Sequence, residues 1–274
     1  MIVCQISDLH IKRPGALAYQ RVDTAGALRR CLRGMARLRP APDAVVITGD
    51  LVDHGDAQEY AHLRELLDEL AVPFYLLVCN HDHRDALRQA FPDHAYLGSA
   101  GFVQYAVDLG PLRLLALDTQ DPPHSGGRLC EQRLRWLELE LARSPGKPVV
   151  LAMHHPPFLT GIGHMDEIGL PREDRERLAA LVARHPQVER IICGHLHRPI
   201  QRRFAGTVAS TSPAPAHQVA FDLQPGAVPG FRLEPPAMQL HAWIDGEGLV
   251  SHQVTVDEYP GPYPFFDGDG RLID

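Results

Sequence analysis

No run of this chain is apolar for the roughly 18 residues that a membrane-crossing helix needs. None of its five cysteines (Cys4, Cys31, Cys79, Cys130 and Cys193) forms a C-x-x-C pair. Their odd number and wide scatter exclude a disulfide framework and point to a reducing compartment. The amino terminus has neither a basic opening nor a small-residue cleavage site, so it does not read as a secretion signal. Basic residues are outnumbered: 27 Lys and Arg stand against 34 Asp and Glu, a net charge of −7. Surfaces built for nucleic acid or anionic membrane carry the opposite balance. These absences describe a soluble, cytoplasmic protein with no nucleic-acid or membrane partner. They leave room for a small anionic substrate, because a buried metal brings its own positive charge.

What the chain does have is proline, histidine and an alternation of short apolar runs with amphipathic ones. Prolines number 24 of 274 residues, about 9% against a usual 5% or so, and histidines number 16. Strands are expected at 2–7, 44–48, 74–78, 102–108, 112–118, 148–153 and 190–193. Helices are expected at 22–38, 56–70, 131–142 and 172–184, with a shorter one ending near 89. Strand pairs from Ile200 onward, and a hairpin of 240–245 with 249–256, add antiparallel character. The pattern predicts an α/β protein, a layered α/β sandwich of two mixed sheets flanked by helices. Stretches 119–129, 158–170 and 212–236 lack a regular pattern, and loops of that length in compact domains are mostly functional or disordered. The last holds six prolines and suggests a boundary between a catalytic domain, 1–211, and a C-terminal cap or oligomerisation segment, 212–274, packed on it. The aromatic tail from Tyr259 to Phe266 is expected to pack against something, a second subunit included.

Polar residues of one kind collect where the apolar strands end. They are Asp8-Leu9-His10, Gly49-Asp50-Leu51-Val52-Asp53, Asn80-His81-Asp82, His154-His155-Pro156 and Gly194-His195-Leu196-His197. In open α/β sheets ligands bind outside the carboxyl ends of strands, so five such ends can feed one crevice. Residues i and i+2 of extended backbone face the same side, which predicts that Asp8 with His10, and His195 with His197, aim at a common point. Carboxylates, imidazoles and an amide carbonyl in this number exceed the needs of one tetrahedral zinc and suit two metals sharing a carboxylate. An O/N donor set without thiolate favours Fe, Mn, Zn or Co.

These blocks resemble the metallophosphoesterase signature D-x-H, G-D-x-x-D, G-N-H-D, H-H-P and G-H-x-H. Within that calcineurin-like superfamily the chain is similar to class III cyclic nucleotide phosphodiesterases and bacterial glycerophosphodiesterases. The resemblance implies a first metal on Asp8, His10, Asp50 and His197, and a second on Asp50, Asn80, His154 and His195, with Asp50 bridging. It implies that His81 faces the phosphate, that Asn80, His197 and His217 join it around the substrate, and that His155 stands behind the ligands. Asp53 and Asp82 are read either as carboxylates that orient ligating imidazoles or as helix-start and loop residues. Cys79 stands where the family has glycine. If that position is left-handed, its Cβ costs about 1 kcal/mol or more. Its thiol is either a small buried apolar group or a group within reach of the metals.

Two divalent cations, two carboxylates and a bridging hydroxide sum to about +1, which suits a phosphodiester monoanion. The expected activity is therefore hydrolysis of small phosphodiesters, cyclic nucleotides such as cAMP or glycerophosphodiesters, with Asp50 and His81 as the catalytic pair. A phosphomonoesterase and a non-catalytic scaffold of the same fold are the alternatives. The C-terminal segment is expected to cap the site and support a homo-oligomer, a dimer or larger. His164 and His217 are expected at the pocket rim. His54, His62, His83, His94, His185, His241 and His252 are read as surface or core.

Overall fold

Runs such as Ala44–Ile47 and Val149–Ala152 are buried along their whole length and become central strands, as runs covered on both faces must. The computed structural model describes residues 1–273. In chain order its elements are β1 (Ile2–Ile6), α1 (Thr24–Ala36), β2 (Ala44–Ile47), α2 (Ala57–Leu67), β3 (Phe74–Leu76), α3 (Arg84–Ala90), β4 (Tyr105–Leu109) and β5 (Leu112–Ala116). Next come β6 (Gln120–Asp121), β7 (His124–Gly127), α4 (Glu131–Ala142), β8 (Val149–Ala152), α5 (Gly163–Glu167), α6 (Arg172–Val182) and β9 (Val188–Cys193). The remainder is strand: β10 (Ile200–Phe204), β11 (Thr207–Thr211), β12 (Gln218–Val219), β13 (Phe231–Arg232), β14 (Ala237–Ile244) and β15 (Gly248–Thr255).

One sheet has the order β15-β14-β1-β2-β3 and the other β10-β11-β9-β8-β5-β4. Leu114, Ala116, Val150, Ala152 and Ile192 of the second sheet join the core built from the first sheet, α1 and α2. Their neighbours Leu115, Val149, Leu151 and Ile191 point the other way, onto Leu134, Leu137 and Leu141 of α4 and Leu178, Leu181 and Val182 of α6. The strand period of two thus divides the second sheet between two cores and gives a helix–sheet–sheet–helix sandwich. β1, β2 and β3 run parallel, as do β5, β8, β9 and β11. Among the described residues no helix is long and apolar enough to cross a membrane.

The three stretches without a pattern each hold a short element: the ribbon β6–β7, the helix α5 and the ribbon β12–β13. Elements of two to five residues are too brief to show a period, which is why the sequence reads them as loop. The chain beyond 211 also returns to the first sheet, where β14 lies antiparallel to β1 with Ile2 opposite Ala242 and Gln5 opposite Gln239. The sheet therefore continues across the proline-rich stretch instead of stopping at it. The tail leaves Tyr259, Tyr263, Phe265 and Phe266 between 57% and 79% exposed, so it does not bury them within its own chain.

A polar seam joins the two sheets. Gln5 Nε2 donates to Thr48 Oγ1 at 3.0 Å and to the Cys193 carbonyl at 2.9 Å, and Gln239 Nε2 donates to the Thr211 carbonyl at 2.8 Å. Gln5 Oε1 accepts from His241 Nε2 at 3.1 Å, leaving His241 Nδ1 to accept from Ser251 Oγ at 2.7 Å. Both ring nitrogens are satisfied in this neutral form. Burial first, and Arg190 second, push the His241 pKa from 6.5 to about 3. The folded state stays neutral while the unfolded chain takes a proton below 6.5, so this stability is complete above that pH and declines as pH falls toward 3. At pH 5 the loss amounts to about 2 kcal/mol. We predict that His241→Gln flattens the fall in melting temperature between about pH 7 and pH 5, followed by tryptophan fluorescence. An unchanged slope contradicts the assignment.

Candidate metal centre

The loops that follow the strands stay laced together. Asp8 N donates to the Gly49 carbonyl at 3.1 Å, His10 N to Asp50 O at 3.0 Å, and Gly194 N to His154 O at 3.0 Å. Extended backbone is not what makes the paired residues converge. Asp8, His10, Asp50, His195 and His197 all have φ between 45° and 73°. Left-handed backbone costs a non-glycine residue about 1 kcal/mol or more. It also reverses the chain within one residue, so side chains two apart can meet at the mouth of a parallel sheet. Gly49, at φ 92°, packs so closely that a Cβ there would lie 2.5 Å from His154 Nδ1.

All seven residues expected as ligands come to this point or border it. Asp8, His10, Asp50 and His197 bring ligand atoms within 4.8 Å of one another. Asp50 Oδ2 is 3.7 Å from His10 Nε2 and 3.4 Å from His154 Nε2. His197 Nε2 is 3.6 Å from Asp8 Oδ1, which also accepts from His195 N at 2.9 Å. Asn80 borders the same cavity as Asp50, His195 and His197. His154 Nδ1–H donates to the Thr48 carbonyl at 2.7 Å and His197 Nδ1–H to the His217 carbonyl at 3.0 Å, so each turns Nε2 toward the cluster. The His197 Nε2 lone pair faces His10 Nε2 at 3.2 Å. Asp8 Oδ2, His154 Nε2 and His195 Nε2 are buried without a hydrogen-bond partner. Each unsatisfied atom costs about 1–3 kcal/mol. Facing lone pairs and orphaned acceptors in one buried place are what cations answer, so the residues fit a dinuclear centre.

The charges agree. Burial above all raises the Asp8 pKa to about 6, with His154 pulling it down and Asp50 pushing it up. Burial alone would raise Asp50 too, but His154, His81 and His10 hold it well below the carboxylate range. Burial pushes His197 down to about 4 and His195 well below its ordinary value, so both stay neutral and able to ligate.

The residues behind the ligands divide by task. Asp53 Oδ1 lies 3.4 Å from His10 Nδ1, and its other oxygen accepts from Lys12 Nζ at 2.6 Å. Asp82 does not orient an imidazole, the role considered for it. Its carboxylate accepts from Cys79 N, Leu51 N and the Tyr60 hydroxyl, and so pins the backbone that carries Asn80. His155 Nε2 donates to the Ser125 carbonyl at 3.1 Å and Nδ1 lies 2.9 Å from Thr119 Oγ1, so neither nitrogen is free for a metal. Cys79 is absent from the positive-φ residues, which removes the strain considered for it. Burial raises its thiol to about 12.

The cluster opens into a cavity of about 450 Å³ bordered by His81, His164, His217, Tyr19 and Phe231. Tyr19 and Phe231 are absent from the sequence reading. Tyr19 (φ 50°) lies in an irregular loop, and its ring sits 5.4 Å from His217 and 5.0 Å from Phe231. Only the juxtaposition of two loops about 200 residues apart, at 19 and at 217–231, reveals them.

Residues 1–199 match the family model described as calcineurin-like phosphoesterase. A protein of Arcobacter nitrofigilis named as a probable glycerophosphodiester phosphodiesterase is 40% identical over 274 residues, all of both chains. One of Rhodopseudomonas palustris named as a probable cyclic nucleotide phosphodiesterase is 36% identical, covering 94% of this chain and 93% of its own. In fold, a dimetal phosphatase from Danio rerio matches with a TM-score of 0.64 at 16% identity, covering 93% of this chain and 99% of that one.

Metal should stabilise this centre measurably. Protein stripped by chelator and given Mn²⁺ at a hundredfold excess over its Kd gains about 2.7 kcal/mol per site, or roughly 5–10 °C in melting temperature. His195→Ala should halve the bound metal and shrink the shift, while Cys79→Ala leaves both unchanged. Identical shifts for parent and His195→Ala contradict the ligand role.

Proposed function

The chain belongs to the calcineurin-like phosphoesterase family and is a metal-dependent phosphodiesterase, and we propose that its substrates are small diesters, glycerophosphodiesters or cyclic nucleotides, hydrolysed where the five strand ends meet. The observation that carries this reading is the buried convergence of Asp8, His10, Asp50, His154, His195 and His197, with three ligand atoms left unsatisfied. Asp8, His10, Asp50 and His197 would hold one cation, and Asp50, Asn80, His154 and His195 the other. Bound there, two divalent cations supply Lewis-acid charge for the phosphoryl oxygens and an acidified water as nucleophile.

The chain's own groups do the rest. Thr48 and His217 orient His154 and His197 through their carbonyls, so that Nε2 is the nitrogen turned toward a cation. His81 Nδ1–H donates to the Asp53 carbonyl at 2.8 Å, which orients the ring at the cavity wall and leaves Nε2 for the substrate. As the oxygen of water bonds to phosphorus, the bond to the leaving alcohol breaks, and the departing oxygen takes its proton from His81. Asn80 and His217 border the same space; His217 Nδ1 is buried without a partner, which suits a substrate contact. The cysteines are all free, which supports a reducing, cytoplasmic setting. The exposed aromatic tail supports a homo-oligomer, with 212–236 covering the site.

Turnover of glycerophosphodiester, cAMP and a simple phosphomonoester is the test. We expect the diesters to be hydrolysed faster, and His81→Ala to lower kcat about a hundredfold with both metals retained. Faster monoester turnover overturns the substrate class. Loss of metal from His81→Ala overturns its role.

A further inference from the structure

Asn80 borders two cavities at once. One, of about 450 Å³, holds the metal-site histidines, Tyr19 and His217. The other, of about 560 Å³, lies beyond Asn80 and is walled by residues 82–85 leading into α3, by Phe102, by Ser125 of β7 and by Gln132 at the start of α4. No ligand expected of either cation other than Asn80 lines this second space.

A phosphodiester has two ester arms on one phosphorus. With phosphorus at the metal centre beside Asn80, the cavities lie where two separate arms can go. We propose that the second cavity is the subsite for the other arm, and that it takes an uncharged, hydroxylated alcohol. The inference rests on the diesterase reading and narrows it to acyclic diesters, because a cyclic nucleotide ties both ester oxygens to one sugar and fills only one side.

The wall chemistry selects the arm. The guanidinium of Arg84 is committed to Asp118 through bonds of 2.6 and 2.8 Å and to the Gln120 carbonyl at 3.0 Å. Its charge is thereby matched by Asp118, which weakens its pull on an anionic arm. Phe102 is covered by Arg133, 4.1 Å from its ring centre, and by Arg84 at 5.4 Å, so its face is closed to a cationic arm. Arg133 in turn donates to the Gln120 carbonyl at 2.7 Å. These bonds make the wall rigid, and a preformed wall lowers the entropy that a flexible arm loses on binding. The Gln132 amide and the Ser125 hydroxyl, which make no hydrogen bond among the described residues, are the neutral donors and acceptors that hydroxyl groups need. Asp85, beside Arg88 at 3.2 Å, discourages a second phosphate.

The experiment compares sn-glycerol 3-phosphate esterified with methanol, with glycerol and with inositol, using the metal-loaded full chain. The parent should favour the glycerol and inositol arms over methyl by about tenfold in kcat/KM, the scale at which pocket contacts discriminate. Gln132→Trp, which fills the cavity from an exposed helix position, should bring that ratio close to one. His124→Trp fills it from β7 and gives the same readout should Gln132→Trp fail to fold. A parent that hydrolyses diesters without arm preference, or a ratio that survives in both variants, overturns the subsite alone. A parent that hydrolyses no diester overturns the diesterase reading and the subsite together.

Discussion

A carboxylate buried between imidazoles sets the terms for the rest of this molecule. Asp50 sits within 3.4 Å of His154 and 3.7 Å of His10, deep enough that water cannot share its charge. A buried charge is tolerated only when partners surround it, and removing one partner strands the others. The surrounding groups are themselves short of partners, since Asp8 Oδ2, His154 Nε2 and His195 Nε2 are unsatisfied. The polypeptide therefore holds an arrangement that it does not complete by itself. Five residues in left-handed backbone are the visible cost of holding it.

That cost is tolerable because the scaffold is stiff on both sides. Parallel strands of two sheets end at the same edge, and the loops beyond them remain hydrogen-bonded to one another. Gln5 and Gln239 tie the sheets together just behind the ligands, and Asp82 anchors the loop that carries Asn80 and His81. The hairpin of β14 and β15 contributes from the far end of the chain by extending the sheet on which Asp8 and His10 depend. Chemistry is thus carried on loops, and precision comes from elements that do not move.

Much of this was legible in the order of the residues. Central strands such as β2 and β8 read as short apolar runs because both of their faces are buried, and the polar blocks at their ends stood out for the same reason. The convergence of those blocks was correctly inferred, but through the wrong local geometry. The alternation of extended backbone does not hold at Asp8 and His10, which are left-handed, and no periodicity reports a single reversed residue. Tyr19 and Phe231 were invisible because one lies in an irregular loop and the other in a two-residue strand, and each gains meaning only from the other. The prolines of 212–236 read as a boundary, whereas the sheet resumes at Ala237. Register between β1 and a strand more than 230 residues away is a long-range fact that local composition does not contain.

Anomalous diffraction from crystals soaked in Mn²⁺ shows whether these side chains together grip a pair of cations. Two peaks about 3.5–4 Å apart are expected, with Asp50 between them. Donor atoms of Asp8, His10 and His197 should stand around one and those of Asn80, His154 and His195 around the other. A single peak, or density that leaves Asp50 uncoordinated, would contradict a dinuclear centre.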